Sequence, residues 1–345
     1  MISVSGFKNV IQVLDFFNSQ EKCYKYLEQQ RWSTGVSCPN CGNAKVYRTA
    51  RGFKCANKLC ARKHFTVISG TVFENTKIEL RFWFAAIYLV TAHKKGISSH
   101  QLARDLGITQ KTAWFMNHRI REMMINSGAK LSNTVEADET FVGGDEKNKH
   151  RSKRDKGTRG GKKIRRINEK IAVIGVIERG GNLFSKSAPN AKSESVIPFI
   201  KENVAEGSKV FTDEHAGYKP LWKHGYDHEK VSHIGYEYVN GIIHTNTIEN
   251  YWSHFKRGIE GIYHHVSSKH IDRYCDEFTY RFNSRSITDR QRFEITLTKC
   301  NRRLRWNDLV SGKQLAPSGT SEQTDENQEQ FSSMKEFQKF RKEKE

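Results

Sequence analysis

No apolar run in this chain is long enough to span a bilayer. The longest, Phe82 to Ala92, falls short of the ~20 residues that a membrane helix needs, and the mean hydropathy of -0.72 points the same way. The amino terminus lacks the basic-then-apolar pattern of a secretory signal, so the expected compartment is a reducing cytosol. No internal repeat is present, which excludes a solenoid or propeller. Acidic residues are the scarce charge: 38 Asp and Glu against 58 Lys and Arg leave a formal charge of +20. Such an excess repels itself in a compact fold and points to a polyanionic partner, most often nucleic acid. The seven cysteines are an odd number, and four fall in one short window. That distribution favours a metal site over a disulfide framework.

The length of 345 residues suits about two or three domains. Residues 1–35 carry the periodicity of short helices (Val10, Val13, Leu14, Phe17, Tyr24, Leu27), and 36–75 change to short β-like pieces around cysteines. The third region, 76–128, is helical, with Thr76 and Glu79 reading as a capping box ahead of Leu80. A strand-rich domain is expected over 131–305. It contains Val135–Val142, the apolar run Ile171–Ile177 expected to be buried on both faces, Ser208–Thr212, and helical patterns at 247–260 and 268–282. Between its first two strands, Asp145–Lys170 holds twelve Lys/Arg against four Asp/Glu and reads as a mobile, solvated loop. The segment 306–345, rich in Ser, Gln, Glu and Lys, is expected to be disordered.

Cys38-Pro-Asn-Cys41-Gly and Cys55-Ala-Asn-Lys-Leu-Cys60 are two cysteine pairs thirteen residues apart. Two thiolate pairs on tight turns form a closed four-sulfur Zn²⁺ site, which is structural because no coordination position stays open. The second spacing is wide, and His64 is an alternative to Cys60 as fourth ligand. Downstream, Ser98 and Gln101 can open a helix that ends at Leu106, Gly107 makes a turn, and Thr109 caps a second helix. This is the pattern of a helix-turn-helix, although an ordinary helical hairpin has the same signals. In a helix-turn-helix, Gln110, Lys111, Trp114, His118 and Arg121 are the candidates for the outward, DNA-reading face.

In Val135-Glu-Ala-Asp138-Glu-Thr-Phe-Val-Gly-Gly, a carboxylate lies on an apolar strand, where burial is costly unless a cation is bound. Alternation places Glu136, Asp138 and Thr140 on one face and Glu139 on the other. Asp213 follows a second strand, and Glu249 lies at the start of a helix, with Lys256 seven residues on. Two strand carboxylates and one helix carboxylate suit a pair of Mg²⁺ ions for in-line phosphoryl displacement, with Lys256 neutralising a phosphate. Singly these acids have plainer readings: strand-end turns for Asp138 and Asp213, a capping box with Asn246 for Glu249.

Taken together the motifs resemble the DDE transposases of insertion sequences that carry an N-terminal zinc ribbon and a retroviral-integrase-like catalytic domain. The resemblance covers roughly residues 5–290. It rests on Cys38-Pro-Asn-Cys-Gly, Gly70-Thr-Val-Phe, Asp138-Glu-Thr-Phe-Val-Gly-Gly, Thr212-Asp213, His244-Thr-Asn-Thr-Ile-Glu249, Trp252-Ser-x-x-Lys256-Arg, Gly261-Ile-Tyr-His, Lys269-His-x-x-x-Tyr, Glu277-Phe and Arg281-x-Asn283. It implies a multidomain α+β chain: zinc ribbon, helix-turn-helix, then an RNase H-like α/β domain with a mixed sheet flanked by helices. Asp138, Asp213 and Glu249 would hold Mg²⁺ (or Mn²⁺), and Lys256 matches an accompanying basic residue. Some relatives have Asn as the third residue, which leaves Asn246 as the alternative to Glu249. The implied activity is cleavage at the terminal inverted repeats, then attack of the freed 3′-OH on target DNA, by a homo-oligomer in a synaptic complex at the bacterial nucleoid. A DNA-binding regulator with an inactive catalytic domain, or a nuclease without strand transfer, are the other readings.

Overall fold

A computed structural model describes residues 7–126, 128–143, 158–159, 162–163, 170–231 and 244–312 of the chain. It divides into two compact units, Met1–Gly128 with Ser284–Glu345, and Ala129–Asn283.

In the first unit, α1 (Val10–Phe16) and α2 (Gln20–Arg31) are capped by the side chains of Asn9 and Ser19. The ribbon follows as β1 (Val46–Thr49), β2 (Gly52–Cys55) and β3 (His64–Phe65), an antiparallel sheet in that order. Its inner face packs Phe53 and Phe65 against Trp32. On its other face, the cross-strand neighbours Tyr47, Lys54 and His64 form an exposed row.

The helix α3 (Leu80–Ala92) is apolar around most of its circumference and so becomes the centre of the unit. The expected capping box at its start does not form. Thr76 Oγ1 instead accepts from the Ile78 amide and from Trp83 Nε1, and the Leu80 amide donates to Gln20 Oε1 at 2.8 Å. The pair α4 (Ser99–Leu106) and α5 (Gln110–Glu122) has the expected caps. Ser98 and Thr109 accept from the amides three residues on, and Gly107 takes the left-handed φ of 64° at the turn.

Residues 284–305 do not continue the strand-rich domain as expected. Helix α9 (Asp289–Thr298) belongs to the first unit, where Phe293 meets Phe17, Phe84 and Phe7 edge-on or tilted at 5.4–6.1 Å. Its periodicity announces a helix but not which core receives it. The segment after 305 also departs from expectation at its start: α10 (Trp306–Ser311) is helical with Leu309 fully buried. Residues 313–345 lie outside the described residues.

The second unit holds a five-stranded mixed sheet in the order β10-β9-β4-β7-β8. Its strands are β4 (Thr134–Val142), β7 (Ile171–Glu178), β8 (Leu183–Ala188), β9 (Lys209–Thr212) and β10 (Asp227–Lys230), with β5 (Thr158–Arg159) and β6 (Lys162–Lys163) forming a separate pair. The central β4 runs antiparallel to β7 and parallel to β9. One face, with Val135, Ala137, Val176 and Val210, is covered by α6 (Ser193–Asn203) and a 3-10 helix at Ala216–His224. The other, with Val142, Val173 and Ile177, is covered by α7 (Asn246–Gly258) and α8 (Ile271–Asn283). Sheet burial on both faces explains the unbroken apolar run of β7. Of the basic segment 145–170, all but residues 158, 159, 162, 163 and 170 lies outside the described residues.

Candidate active site

The central strand carries the site. Pairing of β4 with β9 places Glu136 beside Phe211, and continuing that parallel register by two residues brings Asp138 level with Asp213, just past the strand end. Asp138 faces α7, whereas Glu139 faces the 3-10 helix, as alternation requires. Near the open end of the sheet the two faces meet. Carboxylate oxygens of Asp138, Glu139 and Asp213 all lie within 4.8 Å of one another.

Each acid is held locally. Asp138 Oδ1 accepts the Glu139 amide at 2.8 Å, and Asp213 Oδ1 accepts the His215 amide at 3.0 Å. Glu139 accepts from the Tyr218 hydroxyl at 2.7 Å and has His215 Nδ1 at 3.5 Å. Burial pushes Asp138 up to about 7, with the charges of Glu139, Asp213 and Glu249 adding to the rise. Burial likewise raises Glu139, opposed by the Tyr218 hydrogen bond and by His215. Carboxylates crowded and desolvated in this way suit a divalent cation, whose charge would offset both penalties.

Glu249 is exposed on the first turns of α7 and lies outside the 4.8 Å cluster, although its charge reaches Asp138. It accepts from Thr245 Oγ1 at 3.0 Å. The plainer alternative for Glu249, a capping box with Asn246, does not form, because Asn246 is already the first helical residue and Thr245 is the N-cap. Lys256 is exposed two turns further along, about 10 Å down the helix axis. Two residues carry no local signal of their place here. Alternation puts Glu139 on the opposite face, and only the strand end brings it round to the cluster. Glu136 shares the face of Asp138 but is fully buried.

The close seating of α7 depends on a glycine. Gly175 is the β7 partner of Asp138, and a Cβ there would meet Trp252 Cζ2 at 2.7 Å and Ile248 Cδ1 at 3.2 Å. Gly175→Ala should therefore cost about 1–3 kcal/mol of stability through overpacking. It should also lift Glu249 away from Asp138, which thermal melting and Mn²⁺ titration of the same sample would register.

The raised Asp138 carboxyl has a further consequence. Between its usual range near 3.8 and about 7, the folded metal-free chain binds more protons than the unfolded one. Its stability should fall as pH rises through that window. Divalent-metal affinity should rise over the same interval and level off above about pH 7, because the ion displaces that proton. Mn²⁺ titration at several pH values checks this.

The four ribbon cysteines fit a tetrahedral metal. Cys38 Sγ lies 3.8 Å from Cys60 Sγ, and Cys41 Sγ 3.6 Å from Cys55 Sγ. Four sulfurs about 2.3 Å from a central Zn²⁺ sit about 3.8 Å apart, far beyond a disulfide. The Asn57 amide donates to Cys55 Sγ at 3.4 Å. The wide spacing of Cys55 and Cys60 thus closes the site, and His64 lies outside the four-sulfur cluster, on the exposed row.

The expected reading face of α5 is only partly outward. Gln110 and Lys111 are exposed and Trp114 half-buried, but His118 and Arg121 are buried, with 0% and 2% exposure. Trp306 of α10 rests on Phe115 and Trp114, and Lys111 Nζ lies 4.8 Å over its ring. The amino-terminal half of α5 is thus partly covered by Trp306, and its carboxy-terminal half, Met116–Glu122, is buried.

Residues 130–283 match the model of the ISXO2-like transposase domain, and 18–63 that of the transposase zinc-ribbon domain. The chain is 30% identical over 276 residues to a protein in transposable element ISH50 of Halobacterium salinarum, covering 77% of this chain and 91% of that one. It is 28% identical over 110 residues to a transposase-like protein of Haemophilus influenzae, covering 30% of this chain and 84% of that one. Among the described residues no helix is long and apolar enough to cross a membrane.

Proposed function

Because the chain belongs to the insertion-sequence transposases with a zinc ribbon and an ISXO2-like catalytic domain, we propose that it moves its element by metal-dependent phosphoryl transfer. It would bind the terminal inverted repeats, cleave at the element ends and join the 3′-OH to target DNA. The observation that carries this reading is the meeting of Asp138 and Asp213 with Glu139 at the open end of the central strands.

Asp138 and Asp213 hold the metal in this proposal, Glu249 completes the ligand set from α7, and Lys256 receives a DNA phosphate. Glu139, anchored by Tyr218 and His215, adds a further carboxylate to the cluster. Bound Mg²⁺ or Mn²⁺ would polarise the scissile phosphate and activate the attacking oxygen. That oxygen belongs to water in the first step and to the freed 3′-OH in the second. No covalent protein–DNA bond forms, so no nucleophilic Ser or Tyr is needed.

DNA is held by the first unit. No acidic residue occurs between Glu28 and Glu74, while eight Lys and Arg do. The exposed row of Tyr47, Lys54 and His64 offers one ring, one cation and one imidazole side by side, and Gln110 and Lys111 open α5. Binding dominated by phosphate contacts should weaken about a thousandfold between roughly 50 and 200 mM salt. A flat response in a mobility-shift assay would remove this support.

The deciding experiment incubates a duplex containing the element end with protein, Mg²⁺ and target DNA. Cut and joined products support transposition. Cutting without joining would leave a nuclease, and specific binding with neither would leave a regulator.

A further inference from the structure

Glu136 is a fully buried carboxylate two residues before Asp138 on β4, and the phosphoryl-transfer chemistry does not use it. Its partners all converge from around the start of α7. Oε2 accepts the backbone amides of Thr247 at 2.9 Å and Ile248 at 3.1 Å, which are among the orphan donors of that helix. Oε1 accepts from Thr247 Oγ1 at 3.0 Å and from Arg179 Nε at 2.8 Å, with His244 Nδ1 at 3.4 Å. Arg179 in turn donates from Nη2 to the His244 carbonyl at 2.8 Å and lies over the Phe211 ring of β9.

A helix start is ordinarily served by its own N-cap side chain. Here Thr245, the N-cap residue, makes no such bond; its hydroxyl goes to Glu249. The helix is capped from inside the sheet, by the strand that bears Asp138, and its local cap is released to hold the third acid. A buried charge is a costly way to cap a helix unless fixing that helix to that strand matters.

We infer that Glu136, with Arg179, is a positioning residue that sets Glu249 against Asp138 and so presents the ligand set ready for the metal. This rests on Glu249 being a metal ligand. Glu136 is fully buried and lies outside the cluster of Asp138, Glu139 and Asp213. It acts through Thr247 and Ile248, the two residues before Glu249.

The test is a double-mutant cycle read by Mn²⁺ binding, with free Mn²⁺ followed by electron paramagnetic resonance and folding checked by thermal melting. Glu249→Ala and Glu136→Gln should each weaken binding about tenfold, the low end for a residue supporting a ligand. The double variant should be no weaker than Glu249→Ala alone, since the positioned ligand is gone. Glu136→Gln combined with Asp213→Ala should instead multiply, because Asp213 follows β9 and is not positioned through α7. Thr247→Val removes one hydrogen bond to Glu136 without stranding a charge, and serves if Glu136→Gln fails to fold. It should weaken binding about threefold in the wild type and not at all beside Glu249→Ala.

Multiplying losses for Glu136→Gln, or for Thr247→Val, with Glu249→Ala would overturn the inference, as would wild-type affinity in Glu136→Gln. If Glu249→Ala alone leaves binding unchanged, the ligand assignment falls and the inference with it. That failure is read from the single variant and is distinct from a broken coupling.

Discussion

Alanine at Asp138 should lower metal-dependent cleavage of an element-end duplex by about a thousandfold or more. Loss of a metal clamp on the transferring phosphate removes several kcal/mol of transition-state stabilisation, at about 1.4 kcal/mol per decade of rate. Asp213→Ala should match it, since the two acids stand at level positions of adjacent strands and share one 4.8 Å cluster. Strand joining, assayed from a pre-cut end, should fall in parallel, because one set of ligands serves both steps. Stability should move the other way. The half-buried Asp138 carboxyl is held up near 7, so ionising it costs the metal-free fold free energy at pH 8. Asp138→Asn removes that cost and should melt at or above the wild type while remaining inactive. A variant that both melts lower and retains cleavage would contradict the assignment twice over.

Cys38→Ser should have the second large effect, on folding of the ribbon. Binding of a structural Zn²⁺ at neutral pH contributes about 10 kcal/mol or more in small zinc domains, and that energy is folding energy. The ribbon core around Phe53 and Phe65 is small and encloses three of the four ligands, Cys38, Cys55 and Cys60. Without the metal it has little else to hold it. Zinc analysis should drop from about one ion per chain to none, protease should cut within 36–66, and DNA affinity should collapse. His64→Ala is the contrast: its side chain is on the exposed row, so zinc and fold should persist. Zinc retained in Cys38→Ser would refute the four-sulfur ligand set.

The ribbon is also tied to its own unit by charge. Glu74, 4% exposed, accepts from Arg62 Nη1 at 2.7 Å and from the Gly70 amide at 2.9 Å, with Arg303 Nε at 3.3 Å. This bridge joins the last knuckle to residues more than two hundred positions later. Nothing local in the sequence foretells it.

What could be read from the chain alone was whatever is encoded over short stretches. The cysteine spacing, the Ser98 and Thr109 caps around Gly107, the alternation along β4 and the unbroken apolar run of β7 each depend on neighbours a few residues away. Motif order along the chain was enough to indicate the family. What required the tertiary structure was everything decided by distant partners. Phe293 and Leu304 find their core in the first unit and not the second. His118 and Arg121 are buried rather than outward, and Trp306 covers Trp114 and Phe115. Glu139 reaches Asp138 and Asp213 only because two sheet faces meet at a strand end. Glu136 serves the amides of Thr247 and Ile248, more than a hundred residues away. Periodicity specifies which side of an element is apolar. Which surface meets that side is settled by packing and by the pairing of buried charges, and those are properties of the whole fold.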